Sequence, residues 1–254
     1  MVFGNGTEPL LCFHGFSRKA DDYLLFKNAW ENKHKIFSFN FFHHGNSVYP
    51  LDRVDRNTLT ANEWNEIMLH FLVTNKIESF SMAGYSMGGK LCLSMFLHYK
   101  ERVNKIYLFA PDGIKENFWY KFTSRNVLGN ILYRKIMHKP WFFFATLKFL
   151  KNIKLLDDKL YRFVISNLES YDKRRLVYCV WMTMRHIRPS LKQVKHILFY
   201  TPTEIELYFG KYDKIIPVKL GYKFKNMNPE KIKLQLVECG HNMFNEKTLE
   251  ALCH

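Results

Sequence analysis

The sequence predicts an α/β protein in which a mostly parallel sheet is flanked by helices and carries a helical cap as an insertion. Three observations predict it. Short apolar runs alternate with longer amphipathic stretches, the pattern of strands connected through crossover helices. Between Pro111 and Pro202 that rhythm stops, and helical patterning rich in aromatics and Lys/Arg takes over. The charge changes in the same place: residues 118–196 hold 17 lysines and arginines against 4 acidic residues, a net of +13 in a chain whose total is +15.

Taken in order, the strands are Leu10–Phe13, Lys35–Phe41, Ser79–Gly84, Lys105–Ala110, Glu204–Phe209 and Lys233–Glu238. Between them, apolar residues at three- and four-residue spacing predict helices at Ala20–Asn32, Thr60–Thr74, Met87–Tyr99 and Val218–Asn226. Thr60, with Glu63 three residues on, is a capping box for the second of these. The division that follows is a core of residues 1–112 and 197–254 and a helical cap of residues 113–196. No Gly/Ser linker bounds the insertion, so it is expected to be docked rather than tethered.

With 254 residues the chain suffices for one large core, and 47% apolar, 24% charged and 17% aromatic residues exclude a disordered polymer. Its five cysteines include no CxxC pair, and an odd number argues against a closed disulfide framework, so reduced thiols in a cytoplasm are expected. The N-terminus has no basic and apolar leader pattern. The longest apolar stretch, Trp141–Leu150, is broken by Lys148 and is far too short for a membrane span. A soluble protein is expected, with peripheral membrane contact left open.

The sharpest local signal is Gly84–Tyr85–Ser86–Met87–Gly88, which has the form G-x-S-x-G. It directly follows one predicted strand and opens a predicted helix, the context this motif needs to hold a serine on a sharp turn. A serine hydroxyl needs a base to take its proton. Of eleven histidines, His241 follows the last strand through Cys239–Gly240, on a loop at a strand's carboxyl end, where open parallel sheets gather their sites. The base needs a carboxylate to fix its tautomer. Asp213, after the penultimate strand, is the first choice; Asp112, after the strand that follows the nucleophile's, competes. The oxyanion formed in acyl transfer needs donors, and the backbone amides of Met87 and Phe16 fit that role. His14 on the loop after the first strand, Tyr85 next to the serine and Trp181 in the insertion are the expected substrate contacts, His14 shaping its loop rather than moving protons. Aromatic residues such as Trp119, Tyr120 and Trp141 to Phe144 offer an apolar acyl pocket, or else simply pack the cap.

With these residues in place, the chain resembles the α/β-hydrolase superfamily, in its serine-nucleophile, esterase-like branch with a helical cap. Four ordered pieces carry the likeness: His14–Gly15–Phe16, Gly84 to Gly89, Gly210–Lys211–Tyr212–Asp213 running on to Pro217, and Gly240–His241. A fifth, Phe39 to Ser47, departs from the family's loop, with Asn40 in place of its aspartate and His43 in place of a glycine. The resemblance implies a Ser-Asp-His order, no metal or organic cofactor, and a cap over the site.

The expected function is hydrolysis of a carboxylic ester or thioester through an acyl-enzyme on Ser86, His241 and Asp213. A serine at the elbow disfavours the family's dehalogenases and epoxide hydrolases, whose nucleophile is an aspartate. Two other readings stay open: a cofactor-free lyase of the menaquinone-synthesis type using the same residues for proton abstraction, and a binding protein that kept the fold. The expected partner is a small acyl substrate, with an anionic one favoured if the basic segment is functional. Nucleic acid is not expected, because no binding motif accompanies the charge. The oligomeric state is not legible.

Overall fold

The computed structural model describes residues 1–253. Among them, seven strands form one sheet: β1 (Val2–Phe3), β2 (Glu8–Phe13), β3 (His34–Phe39), β4 (Phe80–Tyr85), β5 (Val103–Phe109), β6 (Glu204–Gly210) and β7 (Ile232–Val237). Their order is β1-β3-β2-β4-β5-β6-β7. β1 runs antiparallel to β3, and every other neighbouring pair is parallel. The six predicted strands are these parallel ones. β1 carries no readable pattern, because two residues are too few to show a period.

The helices are α1 (Lys27–Trp30), which continues a 3-10 turn over Ala20–Phe26, α2 (Leu51–Asp55), α3 (Ala61–Thr74), α4 (Met87–His98), α5 (Phe118–Arg125) and α6 (Val127–His138). They continue with α7 (Trp141–Asn152), α8 (Asp158–Leu168), α9 (Tyr171–Thr183), α10 (Leu191–Tyr200), α11 (Val218–Lys225) and α12 (Glu246–Cys253). No helix among the described residues is long and apolar enough to cross a membrane.

The chain divides into two compact units, one of residues 1–48, 60–115 and 187–254 and one of residues 49–59 and 116–186. The first contains the whole sheet. Its central strand β4 is buried along its full length, which is why it carries no charged residue and no alternation of apolar and exposed polar positions. α4 packs on β4 and β2 and buries every residue from Met87 to Phe96. A second core layer gathers Tyr23, Phe26 and Trp30 against Phe109 and Tyr208, with Phe244 and Leu249 packed at its edge. Phe26 stacks on both Phe109 and Phe244, with ring centroids 5.3 and 5.4 Å away. Each such ring removed from water stabilises the fold by about 2 to 3 kcal/mol. Thr60 caps α3, its hydroxyl accepting the Glu63 amide at 3.1 Å.

The second unit is helical and differs from the predicted insertion 113–196 at both ends. α10 belongs to the sheet unit because Val194 and Leu198 are fully buried there and its C-terminal carbonyls are held by Lys231, whose ammonium donates to Leu198 O at 2.8 Å. Residues 49–59 belong to the helical unit. Asp55 ties them in, accepting from the Tyr178 hydroxyl at 2.5 Å and pairing with Arg134 at 2.8 Å. The buried Arg174 guanidinium holds the unit's helix ends together, donating to the carbonyls of Met137 (3.1 Å), Leu168 (2.8 Å) and Glu169 (3.0 Å).

Candidate active site

The turn from β4 into α4 places Ser86 at φ 48° and ψ −114°, a left-handed conformation that costs a non-glycine residue about 1 to 3 kcal/mol. Glycines on either side make the turn possible. A Cβ on Gly88 would stand 1.8 Å from the Phe13 carbonyl oxygen, and one on Gly84 would stand 2.7 Å from the Gly88 backbone. The Ser86 carbonyl accepts the amides of Gly89 (2.9 Å) and Asp112 (2.8 Å), which hold the strained residue in place.

His241 Nε2 lies 3.1 Å from Ser86 Oγ, and its Nδ1 lies 2.8 Å from Asp213 Oδ2. The carboxylate requires a proton on Nδ1, so Nε2 faces the serine as an acceptor. Asp213 is itself fixed: its Oδ1 accepts the amides of Ile215 (2.7 Å) and Ile216 (2.9 Å), and its side chain is fully buried. The two loops meet because β6 ends in Gly210, whose missing Cβ leaves room for Gly240 O, 2.1 Å from where that atom would be. Lys211 and Tyr212 then donate their amides to Val237 (2.8 Å), the last residue of β7, and to Cys239 (3.0 Å) on the loop that follows it. Asp112 stands elsewhere. Its carboxylate accepts the Gly113 amide at 2.7 Å and its own amide braces Ser86, so its part in the structure is a turn at the elbow.

The amides of Met87, at the first position of α4, and of Phe16 have no acceptor among the described residues. The Phe16 loop is held by two neutral histidines. His14 donates from Nδ1 to Gly15 O at 2.7 Å and accepts the Phe41 amide on Nε2 at 3.0 Å. His44 donates to Phe42 O and accepts the Ser17 amide, both at 3.0 Å, and the two rings meet edge to face at 4.9 Å. Burial pushes His14 down to about 4, and it also lowers His44, so both remain uncharged acceptors near neutral pH. Asn40 extends this bracing by accepting the Ala20 amide at 2.8 Å, while Gly45, at φ +55°, passes too close to the Asn40 amide for any Cβ. The departing loop Phe39 to Ser47 is thus a working support for the first loop.

Two of the expected substrate contacts have their polar atoms engaged within the protein. His14 is fully buried with both ring nitrogens spent on backbone groups, which leaves it nothing to offer a substrate. Tyr85 donates its hydroxyl to the His241 carbonyl at 3.0 Å, with its ring 5.4 Å from the imidazole, and therefore acts as a strut beneath the histidine. Trp181 lies in the helical unit and is half-buried, where Tyr120 meets its ring edge to face at 5.5 Å and Tyr133 lies at 6.1 Å. Trp119 and Trp141 are largely exposed rather than gathered into a pocket wall. Sequence reasoning missed a further support: Arg18, four residues past His14, donates to the side chain of Asn242, the neighbour of His241. Nothing in the local sequence pairs those two positions. No group of three or more His, Cys, Asp or Glu able to hold a metal ion occurs among the described residues.

The family model of the alpha/beta hydrolase fold matches residues 8–248. The chain is 29% identical over 113 residues to the dihydrolipoyllysine-residue acetyltransferase component of the acetoin cleaving system of Pseudomonas putida, covering 44% of this chain and 29% of that protein. It is 25% identical over 199 residues to the 2-hydroxy-6-oxononadienedioate/2-hydroxy-6-oxononatrienedioate hydrolase of Comamonas testosteroni, covering 70% of this chain and 64% of that one. It thus spans less than two thirds of the length of either relative. Among solved structures, a thermophilic esterase from Thermogutta terrifontis superposes with a TM-score of 0.67 at 14% identity, over 99% of this chain and 90% of that one, a likeness of fold. With the parallel sheet and the strained serine turn lying inside the matched residues, the chain belongs to the α/β-hydrolase fold family of enzymes.

Proposed function

We propose that the protein is a serine hydrolase that cleaves a carboxylic ester or thioester through an acyl-enzyme. The observation that carries this reading is the unbroken relay Asp213–His241–Ser86, at 2.8 and 3.1 Å, with the serine on a strained elbow. In the first half-reaction His241 Nε2 takes the Ser86 proton as Oγ attacks the acyl carbon. The resulting imidazolium is stabilised by Asp213. Negative charge that develops on the carbonyl oxygen is met by the amides of Met87 and Phe16, whose hydrogens have no acceptor among the described residues. His241 then returns the proton to the leaving alkoxide or thiolate. In the second half-reaction it deprotonates water, which attacks the acyl carbon and releases the acid and the serine.

The test is turnover of short and medium p-nitrophenyl esters and of an acyl thioester by the wild type and by Ser86→Ala. The reading expects measurable turnover that falls by about 10⁴-fold or more in the variant. Turnover that persists in Ser86→Ala, or its absence in well-folded wild type on every ester and thioester tried, contradicts it. The likeness to the Comamonas hydrolase, whose name gives an oxo-dienedioate and an oxo-trienedioate as substrates, favours a second reading of the same serine: cleavage of an anionic oxo-acid. The +15 charge of the chain favours anionic substrates as well.

A further inference from the structure

Helix α7 has an unusual relation between composition and burial. Seven of its twelve residues are large and apolar (Trp141, Phe142, Phe143, Phe144, Leu147, Phe149 and Leu150), yet none of the twelve is buried. A helix of that make-up in a water-soluble protein normally submerges an apolar stripe in the core. Here Trp141 is 73% and Phe149 61% exposed, and the turn that follows adds Ile153 at 47% and Leu155 at 74%. Cations are interleaved with these apolar groups. From Lys139 to Leu156 the sequence has four lysines and no acidic residue. Lys151 pairs with Asp158 at 3.3 Å, whereas Lys139, Lys148 and Lys154 have no carboxylate partner among the described residues.

Exposed Trp, Phe and Leu beside unpaired lysines match the two layers of a membrane interface, acyl boundary and anionic headgroups. At about 18 Å the helix is too short to span a bilayer core of about 30 Å, so it fits lying in the plane of the interface. A second copy of the chain fits less well, since a two-fold contact would bring like-charged lysines together with no acidic residue to meet them. We propose that α7 and the turn after it, residues 141–155, dock the protein onto an anionic phospholipid bilayer. The proposal stands independently of the catalytic reading, since it uses none of the residues assigned to it.

The experiment is co-sedimentation of the full chain with phosphatidylcholine vesicles, with and without about 30 mol % phosphatidylserine. Wild type is expected to partition onto the anionic vesicles, more weakly at high salt, and at least about tenfold less onto neutral ones. Lys148→Ala with Lys154→Ala is expected to lower partitioning about 25-fold, at about fivefold per lysine. Trp141→Ala with Phe149→Ala is expected to lower it by at least about tenfold. Both double variants change exposed side chains and should retain the wild-type melting temperature. Absence of wild-type partitioning, equal binding to neutral and anionic vesicles, or unchanged binding by either folded variant overturns the proposal. So does a wild-type dimer that Trp141→Ala with Phe149→Ala turns into a monomer, which would assign the face to a second copy.

Discussion

A serine hydroxyl does not ionise near neutral pH, so the reactivity proposed for Ser86 depends on the imidazole 3.1 Å away and on the tautomer of that ring. In the proposed mechanism Asp213 sets the tautomer, and this separates it from Asp112 experimentally. In Asp213→Asn the side-chain oxygen can keep the Ile215 and Ile216 amides, which turns the new NH2 toward Nδ1 and drives the ring proton to Nε2, where it opposes Ser86. We predict that kcat falls by about 10³ to 10⁴-fold with KM little changed. Asp112→Asn should cost less than about tenfold, because the amide that braces Ser86 belongs to the backbone. Steady-state kinetics of the two variants on one ester decides the matter. Ser86 and His241 were legible in sequence because each sits at a strand's carboxyl end in a local pattern with a mechanical reason. The choice between the two aspartates was not legible, since both follow a strand and only the pairing of β6 with β7 brings one of them to the histidine. The strut from Tyr85 and the bond from Arg18 to Asn242 left no trace in sequence, as they join positions 156 and 224 residues apart.

At the level of elements, the site depends on two backbone approaches that admit no side chain. Gly210→Ala would push the Asp213 loop away from Gly240 and stretch the bond to His241, so kcat is expected to fall by at least about tenfold in protein that remains folded. Gly88→Ala meets the Phe13 carbonyl head on and is expected to destabilise the fold by more than about 2 kcal/mol, measured by urea unfolding. In the helical unit, Arg174→Ala would leave the carbonyls of Met137, Leu168 and Glu169 without their donor in the interior, at a cost of about 2 to 4 kcal/mol in the same assay. The parallel strands and the longer amphipathic helices were readable because burial imposes a pattern on their sequence. β1 and α2 were not, because two and five residues show no period. Residues 49–59 could be assigned to the helical unit only through Asp55, whose partners Arg134 and Tyr178 lie far along the chain.

For the molecule as a whole, pH acts on stability through the buried histidines. The folded-state value of His14 lies near 4 against 6.5 for the free side chain, so between those limits the unfolded chain binds the extra proton. Stability should therefore fall as pH drops through that window, by up to about 3 kcal/mol from His14 alone, with His44 adding in the same direction. Replacing the titrating ring by His14→Gln should narrow the gap in unfolding free energy between wild type and variant as pH is lowered from 7 to about 4.5; a gap that stays constant would refute this. The fold class was legible at this scale because alternating strands and helices admit few architectures, and the basic insertion marked itself by charge. The limits of that insertion were less legible, since α10 is as basic as the helices before it and only its buried Val194 and Leu198 reveal which unit it belongs to. Acyl-enzyme chemistry in this protein requires an activated Ser86. The most direct measurement is reaction of the whole protein with a fluorophosphonate, read by intact mass and by mapping of the modified peptide. One adduct is expected, on Ser86, absent from Ser86→Ala and strongly slowed in His241→Ala; folded wild type that stays unmodified, or an adduct on another residue, would overturn the acyl-enzyme mechanism.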